Sequence, residues 1–300
     1  MRALGRLPAW LYGRAYLLLV TATLLWGGNA VAGRLAVGEV SPMVLTTLRW
    51  ALPVLGLAAA LHGPLRRHRA ALLARWPALL WMGALGFTGF NALFYLAAHR
   101  TSAVNIAILQ GAIPVLVLVG ALLVYRTPVR PLQAMGVAVT LVGALAVAAR
   151  GDPAALLSLA FNLGDLWMLL ACAFYAAYTL GLRVRPAVPG LVLFTALAAM
   201  ALATSLPLLV AEMAADAALW PTWTGWLVVL YVAVGPSFVA QVAFIRAVEL
   251  IGPGRAGLFV NLVPVFGALL AVLLLGEPFA AHHAAALALV LGGIWLAERR

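Results

Sequence analysis

Long uncharged stretches limit what this chain can fold into more than any other feature of its sequence. An α-helix needs about 20 apolar residues to cross the hydrocarbon core of a bilayer, and ten stretches near that length separate the charged residues. They cover residues 15–33, 50–65, 76–99, 101–125, 131–149, 166–182, 186–211, 217–245, 256–276 and 278–297. Of the 300 residues, 66% are hydrophobic and 9% are charged, which leaves little for a soluble domain. We predict an all-α polytopic membrane protein, because a segment in lipid must satisfy its own backbone hydrogen bonds.

The ten stretches predict ten transmembrane helices. Their expected bounds are roughly 15–35, 41–61, 77–97, 101–124, 131–149, 164–182, 188–210, 223–245, 253–275 and 282–297. We expect residues 1–14 to form a cytoplasmic or interfacial N-terminus. Residues 15–150 and 164–300 then form two five-helix units, and residues 151–163 form an outer linker between them.

The two halves of the chain contain an internal sequence repeat. The segment Asn91–Gly143 aligns on Gln241–Gly293 at a constant offset of 150 residues without a gap. Its most informative identities are two proline pairs, Pro114 with Pro264 and Pro128 with Pro278. Because each unit has five spans, an odd number, the second copy enters the membrane in the inverted orientation. Inverted repeats related by an axis in the membrane plane are typical of secondary transporters.

Charge distribution predicts the orientation. The formal charge is +11, and all 19 basic residues are arginine. Fifteen of them fall on the side of the N-terminus, three (Arg34, Arg100 and Arg150) fall on the other side, and Arg49 lies within a span. This is the positive-inside bias, so we predict an inner-membrane protein with both termini in the cytoplasm. The alternation by loop argues against nucleic acid as a partner.

The chain lacks the residues that several kinds of chemistry need. Cys172 is the one cysteine, which excludes an intramolecular disulfide and a cysteine-based metal site, and the chain has no lysine. The adjacent His282 and His283 point in different directions on a helix, and there is no acid-rich or metal-ligand motif. We therefore expect no cofactor, no metal and no enzyme. An intramembrane lipid-modifying enzyme and a channel remain the alternatives from other classes.

Polar residues within the spans are the candidate substrate contacts, because polar groups at lipid depth tend to face the interior of a bundle. In the third span, Asn91 and Tyr95 share one helical face. Gln241 occupies the position equivalent to Asn91 in the second repeat, and two related carboxamides suit a zwitterion. In the first span, Trp26 and Asn29 share a face. Hydrogen bonding between helices is the structural alternative for these groups.

The paired prolines predict a matched bend in both repeats. Pro114 follows Gln110 in the fourth span, and Pro264 follows Asn261 in the ninth. A proline removes a backbone hydrogen bond and kinks a helix. We interpret the pair as hinges, with a static bend as the alternative, and we count Gln110, Asn261 and the aromatic Tyr178 of the sixth span among the candidate substrate contacts.

Charged groups within the bilayer are few. For Arg49 we favour a structural role over a place beside a solute pathway, and for Glu277 we favour a surface turn over a gate contact. We therefore expect a cavity without fixed charge. All eight acidic residues fall at loops or span ends. Ion-driven carriers often place a carboxylate at membrane depth, so we favour a facilitator or exchanger driven by the gradient of its own solute.

Taken together, these motifs resemble a known family. They are Trp26-Gly27-Gly28-Asn29, Arg49, the spans of Pro114 and Pro264, Gly276-Glu277-Pro278 and the Gly292-Gly293 pair of the last span. In this order they resemble the drug/metabolite transporter superfamily, specifically its ten-helix EamA-type members. The resemblance implies two inverted five-helix repeats around a central cavity lined chiefly by spans one, three, four, six, eight and nine. At the position of Gly276-Glu277-Pro278 the first repeat departs from this pattern with Arg126-Thr127-Pro128.

The predicted function is a secondary transporter that moves small neutral or zwitterionic metabolites across the inner membrane by alternating access. By analogy with exporters of the family that it resembles, amino acids are the expected solutes, including aromatic ones, and export is the expected direction. A multidrug or other metabolite exporter of the same fold is the alternative. The expected partners are the small-molecule substrate and the lipid bilayer, and we expect a monomer or a weak dimer.

Overall fold

All regular structure in the described part of the chain is helical. The computed structural model describes residues 13–148, 162–251, 256 and 259–298. Ten helices are present: α1 Ala15–Leu35, α2 Pro42–Ala60, α3 Trp76–Ala98, α4 Ala103–Tyr125, α5 Pro131–Ala148, α6 Leu163–Gly181, α7 Gly190–Ala214, α8 Trp223–Ile251, α9 Leu262–Leu275 and α10 Ala281–Glu298. Seven are long and apolar enough to cross a membrane, whereas α5, α9 and α10 have shorter apolar segments. The all-α, ten-helix prediction is confirmed.

Two predicted segments lie mainly outside the described residues. They are the N-terminus 1–14, of which residues 13 and 14 are described, and the linker 151–163, of which residues 162 and 163 are described. Between α2 and α3 the chain forms two short helices, His62–Arg67 and Arg69–Leu73.

Large apolar side chains cover the outside of the bundle. Leu123 is 74% exposed, Leu273 is 68% exposed and Trp223 is 80% exposed. The buried core contains many small residues, such as Ala107 and Ala198. Helices that are apolar on the outside and approach one another through small residues are typical of membrane bundles.

The two repeats contact each other reciprocally. Helix α1 packs against α8 and α9, and its counterpart α6 packs against α3 and α4. Counterpart helices also pack directly on each other, as α2 with α7, α4 with α9 and α5 with α10. Reciprocal contacts of this kind are those of a two-fold operator. Since each repeat crosses the membrane five times, the pseudo-axis lies in the membrane plane and the repeats are inverted.

Local irregularities recur at the same register in both repeats. In α3 the segment Ala84–Gly89 forms a π-helical turn, and in α8 the segment Gly235–Val239 does the same. Each widened turn lies just before the position of Asn91 or Gln241. Thr88, within the first of these turns, contacts α7, where its hydroxyl is hydrogen-bonded to that of Thr204 at 2.7 Å. Single π-turns in α-helices are often found at functional sites.

Helices α4 and α9 are interrupted just before their paired prolines. The first part of α4 ends at Gln110, and a new helical segment begins at Ile113, next to Pro114. In α9 the break falls at Asn261, three residues before Pro264. Both helices therefore have the matched discontinuity that the sequence predicts, and its use as a hinge stays a prediction.

The two ends of the bundle differ in charge. We call one the basic end, because it contains the chain between α2 and α3 with Arg66, Arg67 and Arg75. We call the other the acid-capped end, because Glu212 and Glu277 lie there at the ends of α7 and α9.

Candidate functional site

A cavity of about 900 Å³ lies between the two repeats. It is lined by α1, α3, α4, α6, α8 and α9, as expected, and also by α2 and α7. Seven of the eight predicted substrate contacts line it, together with both prolines: Trp26, Asn29, Asn91, Gln110, Tyr178, Gln241, Asn261, Pro114 and Pro264. The structure thus brings predicted residues from six helices to one cavity. Their contact with substrate stays a prediction.

Tyr95 is the predicted contact that does not line the cavity. Its side chain is buried, and its hydroxyl accepts a hydrogen bond from Nη1 of Arg49 at 2.6 Å. The same hydroxyl donates to Oδ1 of Asn29 at 3.3 Å. Tyr95 therefore lies behind the wall and supports two residues that do reach the cavity.

Arg49 is the centre of the polar cluster at the cavity wall. Its Nη1 donates to the side-chain oxygen of Asn91 at 2.5 Å and also lies 3.5 Å from that of Asn29. Its Nε and Nη2 donate to the hydroxyl of Ser237 at 2.9 and 2.7 Å. These contacts join α1, α2 and α3 of the first repeat to the π-turn of α8 in the second. The expectation of a cavity without fixed charge is therefore wrong.

All the hydrogen-bond partners of Arg49 are neutral. They are two carboxamide oxygens and two hydroxyl oxygens. The two ion pairs within the described residues are Arg34 with Glu277 and Arg246 with Glu249, and neither includes Arg49. Arg49 is 4% exposed, and a buried charge is costly unless an opposite charge compensates it.

Trp50, the next residue of α2, also lines the cavity. Its indole ring stacks on Phe87 of α3, with ring centroids 4.7 Å apart and 10° between the planes. Its Nε1 is buried and has no hydrogen-bond partner among the described residues. Phe194 and Tyr178 pack against Phe87 and continue the aromatic wall toward α7 and α6.

The two related carboxamides are used differently. Asn91 accepts a hydrogen bond from Arg49 and donates to the backbone oxygen of Phe87 at 2.5 Å. Gln241 lines the same cavity but makes no hydrogen bond within the described part of the chain. The second repeat has Ala199 at the position of Arg49. The site is therefore asymmetric although the backbone is nearly two-fold.

The cavity opens toward the basic end. Its lining reaches Arg185 and Gly190, at the turn from α6 to α7, and Glu249 near the end of α8. All three are exposed. Arg49 and Asn91 lie about two helical turns from the acid-capped end of their helices, so they form the closed end of the cavity.

At the acid-capped end, two carboxylates bind the N-termini of helices from the other repeat. Glu277 accepts hydrogen bonds from the backbone N–H groups of Ala103 and Val104, both at 2.9 Å, and pairs with Arg34 at 3.9 Å. Glu212 accepts from the backbone N–H groups of Met43 and Val44, both at 3.2 Å. Negative charge at a helix N-terminus is favourable. Glu277 thus lies in the exposed connection between α9 and α10, as expected, but its carboxylate contacts the other repeat.

Comparison with known proteins identifies the family. The model of the EamA-like transporter family matches residues 13–149 and again residues 162–298. The chain belongs to the EamA-like transporter family. The two matches correspond to the two five-helix repeats, and the chain is therefore a polytopic membrane transporter of the drug/metabolite transporter superfamily.

Relatives of this EamA-like transporter are themselves described only as transporters. The chain is 24% identical over 259 residues to the uncharacterized transporter YyaM of Bacillus subtilis (strain 168), covering 83% of this chain and 82% of that protein. It is 23% identical over 289 residues to the uncharacterized transporter YetK of the same organism, covering 94% and 86%. A solved crystal structure has the same fold, with a TM-score of 0.64, 23% identity and coverage of 94% of this chain and 96% of that one.

Sequence reasoning missed three residues of this EamA-like transporter's cavity. Arg49 was assigned a structural role, and Trp50 and Ser237 were not singled out. For Arg49 a signal existed, since an ionisable residue within a span suggests a functional site. Ser237 gave no such signal, because serine is common in membrane helices and this one acquires its role only through α2.

Proposed function

We propose that this protein is an alternating-access carrier for small neutral or zwitterionic metabolites, with amino acids, including aromatic ones, as the expected solutes. One observation supports the proposal above all: a cavity between inverted repeats opens at one end of the bundle and is closed at the other. A carrier exposes one site to each side in turn, and inverted repeats provide two gates from one plan. The described arrangement corresponds to the conformation open at the basic end.

The lining of the cavity supports this class of solute. Gln241 offers a free donor and acceptor, and Asn261 and Gln110 add carboxamides from the two broken helices. Tyr178 and Phe87 provide an aromatic surface for an apolar side chain. A few polar groups within a mostly apolar pocket are typical of small-molecule sites.

The direction of transport follows from the orientation of the chain. If arginine-rich loops stay in the cytoplasm, the basic end faces the cytoplasm of an inner-membrane protein. The open cavity then loads from inside, which favours export. Breaks at Pro114 and Pro264 lie beside the cavity, and we assign them the bending that closes the basic end and opens the other.

Energy coupling is part of the proposal. The acidic residue that lines the cavity is Glu249, which is exposed at its mouth. A carrier without a carboxylate at depth is expected to follow the gradient of its solute. Acidification of the lumen of proteoliposomes in step with substrate uptake would contradict this.

Counterflow in proteoliposomes tests the proposed function. Proteoliposomes that contain the purified protein are loaded with unlabelled phenylalanine or leucine, and entry of the labelled solute is followed. We expect saturable uptake that Asn91→Ala and Gln241→Ala reduce, while Gln133→Ala, a carboxamide variant outside the cavity, does not. Normal uptake by both cavity variants would refute the site, and ohmic single-channel currents would indicate a pore instead of a carrier.

A further inference from the structure

We propose that Arg49 and Trp50 form a carboxylate anchor at the closed end of the cavity. Within the proposed class, the anchor then selects solutes that carry a carboxylate together with an apolar or aromatic tail, and solutes without a carboxylate bind much more weakly. This inference rests on the proposed function, because it specifies the solute of the same cavity.

The first argument is the missing counter-charge. Arg49 is always protonated in proteins, it is buried, and it lines the cavity with neutral partners only. Its neighbours Asn91, Tyr95 and Ser237 all present oxygen atoms to it, which orients the guanidinium but leaves its charge uncompensated. A bound carboxylate supplies the missing charge. The described hydrogen bonds use four of the five N–H groups, so one N–H on Nη2 is left to donate to the carboxylate. Hydrogen bonds between a guanidinium and a carboxylate are stronger than those between neutral groups.

The second argument is the indole of Trp50. Its Nε1–H is a donor without an acceptor, and a buried unpaired donor loses free energy unless a partner arrives. Arg49 and Trp50 are consecutive residues of α2, and both line the cavity. Two adjacent side chains that only donate hydrogen bonds require a ligand rich in acceptors. A carboxylate has two oxygens that accept and none that donate.

The third argument concerns the rest of the ligand. Phe87, stacked on Trp50, is contacted by Phe194 and Tyr178, and Tyr175 packs on Tyr178 with ring centroids 5.3 Å apart. A tail attached to an anchored carboxylate therefore meets apolar aromatic faces. Gln241, across the cavity, has a free carboxamide for an amino group where the solute carries one.

A purely structural role does not account for these observations. An arginine that only joined α1, α2, α3 and α8 would gain from a carboxylate partner in the protein, as Arg34 gains from Glu277. A neutral polar residue would meet the same oxygen acceptors without the cost of a buried charge. The buried charge of Arg49 is explained if the opposite charge is the carboxylate of the transported solute.

The test compares carboxylates with their amides on the wild-type protein. Phenylalanine, leucine and 3-phenylpropionate are each paired with the corresponding amide, and phenethylamine is the purely cationic control. Affinity is measured from the concentration dependence of the melting temperature and from competition in counterflow. We expect at least one acid to bind about 100-fold more tightly than its amide, since loss of one partner of a buried charge pair has effects of this size. Phenethylamine should not compete.

Three variants separate anchoring from folding. Arg49→Gln should reduce the affinity of the acids about 100-fold and leave that of the amides within about threefold. Arg49→Lys should recover part of the loss. Trp50→Phe keeps the stacking on Phe87 but lacks the N–H, and should weaken acids about tenfold. Arg75→Gln removes an equal charge on an exposed side chain away from the cavity and serves as the control.

The possible failures are distinguishable. If acids and amides compete equally, or if none of the three acids binds, the carboxylate anchor is refuted while counterflow of another solute leaves the carrier intact. If no solute shows saturable uptake, the proposed function falls and the anchor with it. If Arg49→Gln does not fold, the comparison of acids with amides on the wild-type protein still decides.

Discussion

The two ends of this transporter differ in the contacts that join the repeats. At the acid-capped end, Glu212 and Glu277 each bind backbone N–H groups at the N-terminus of a helix from the other repeat. At the basic end, a hydrogen bond joins the hydroxyl of Tyr125 to the backbone oxygen of Leu180 at 2.9 Å. The comparison teaches that the inverted backbone is shared by both gates, whereas the side chains that hold a gate closed are not.

The physical reason lies in what each end exposes. A helix N-terminus presents unpaired N–H groups, and a carboxylate both accepts from them and compensates their partial charge. The first repeat has Thr127 at the position of Glu277 and His62 at the position of Glu212. Neither can serve as a carboxylate cap. Closure of the basic end must therefore use other contacts, or be driven by the bound cargo.

A covalent lock at the acid-capped end should have the largest effect. The backbone N–H of Ser41 donates to the backbone oxygen of Leu219 at 3.0 Å, so the two backbones are in contact and the pair is a candidate for cross-linking. In a Cys172→Ser background, Ser41→Cys with Leu219→Cys should reduce transport to that of empty liposomes under oxidation. A reductant should restore it, and each single cysteine variant serves as a control. Full activity of the cross-linked protein would contradict alternating access at this end.

Removal of the Glu277 carboxylate should open the same end. Glu277→Gln loses charge on the N-terminus of α4 and the pair with Arg34, which we expect to cost about 1–2 kcal/mol. That corresponds to about a tenfold change in the open-to-closed equilibrium. The measurement is the rate at which an impermeant maleimide labels Ala103→Cys, which is buried beneath the cap. Asp216→Asn removes an acid at the same end and should leave the rate unchanged.

The second cap should contribute less, and independently. Glu212 accepts longer bonds from the backbone, at 3.2 Å, together with a bond from the hydroxyl of Ser41 at 2.6 Å, and it has no arginine partner within the described ion pairs. Glu212→Gln should therefore raise labelling of Val44→Cys, a buried position at the same end of α2, about threefold to fivefold. Because the caps act on different helices, α2 and α4, the double variant should show the product of the two effects. A double variant no more open than Glu277→Gln would mean that the caps act as one unit.

Loss of the bond at the basic end should have the smallest effect. Tyr125→Phe removes a hydrogen bond between α4 and α6 that does not close the cavity. We expect transport to stay within about twofold of wild type, because a single hydrogen bond contributes little net free energy. Counterflow measures this directly. A transport loss of about tenfold would mean that this side-chain contact is needed at the basic end during the transport cycle.

Much of the candidate site could be predicted because it recurs at fixed positions in two repeats. Asn91 and Gln241, and the breaks before Pro114 and Pro264, come from periodicity and from the offset of 150 residues. The role of Arg49 could not be predicted in this way. Whether an arginine in a span reaches the headgroups, a carboxylate or a cavity depends on the residues that other helices bring to it. Glu277 was misjudged for the same reason, since its partners Ala103 and Val104 are more than 170 residues away in the chain.

The sequence by itself determined that this protein lies in a lipid bilayer, how many helices it has, that successive helices cross in opposite directions and that the repeats are inverted. These properties follow from the length and charge of each segment taken alone, since a bilayer selects apolar stretches one by one. Only the tertiary structure decided that Arg49 faces a cavity without a counter-charge and that the Nε1–H of Trp50 has no acceptor among the described residues. It also decided that different contacts join the repeats at the two ends. Each of these depends on contacts between residues far apart in the chain, and such contacts cannot be inferred from the hydropathy of a single segment.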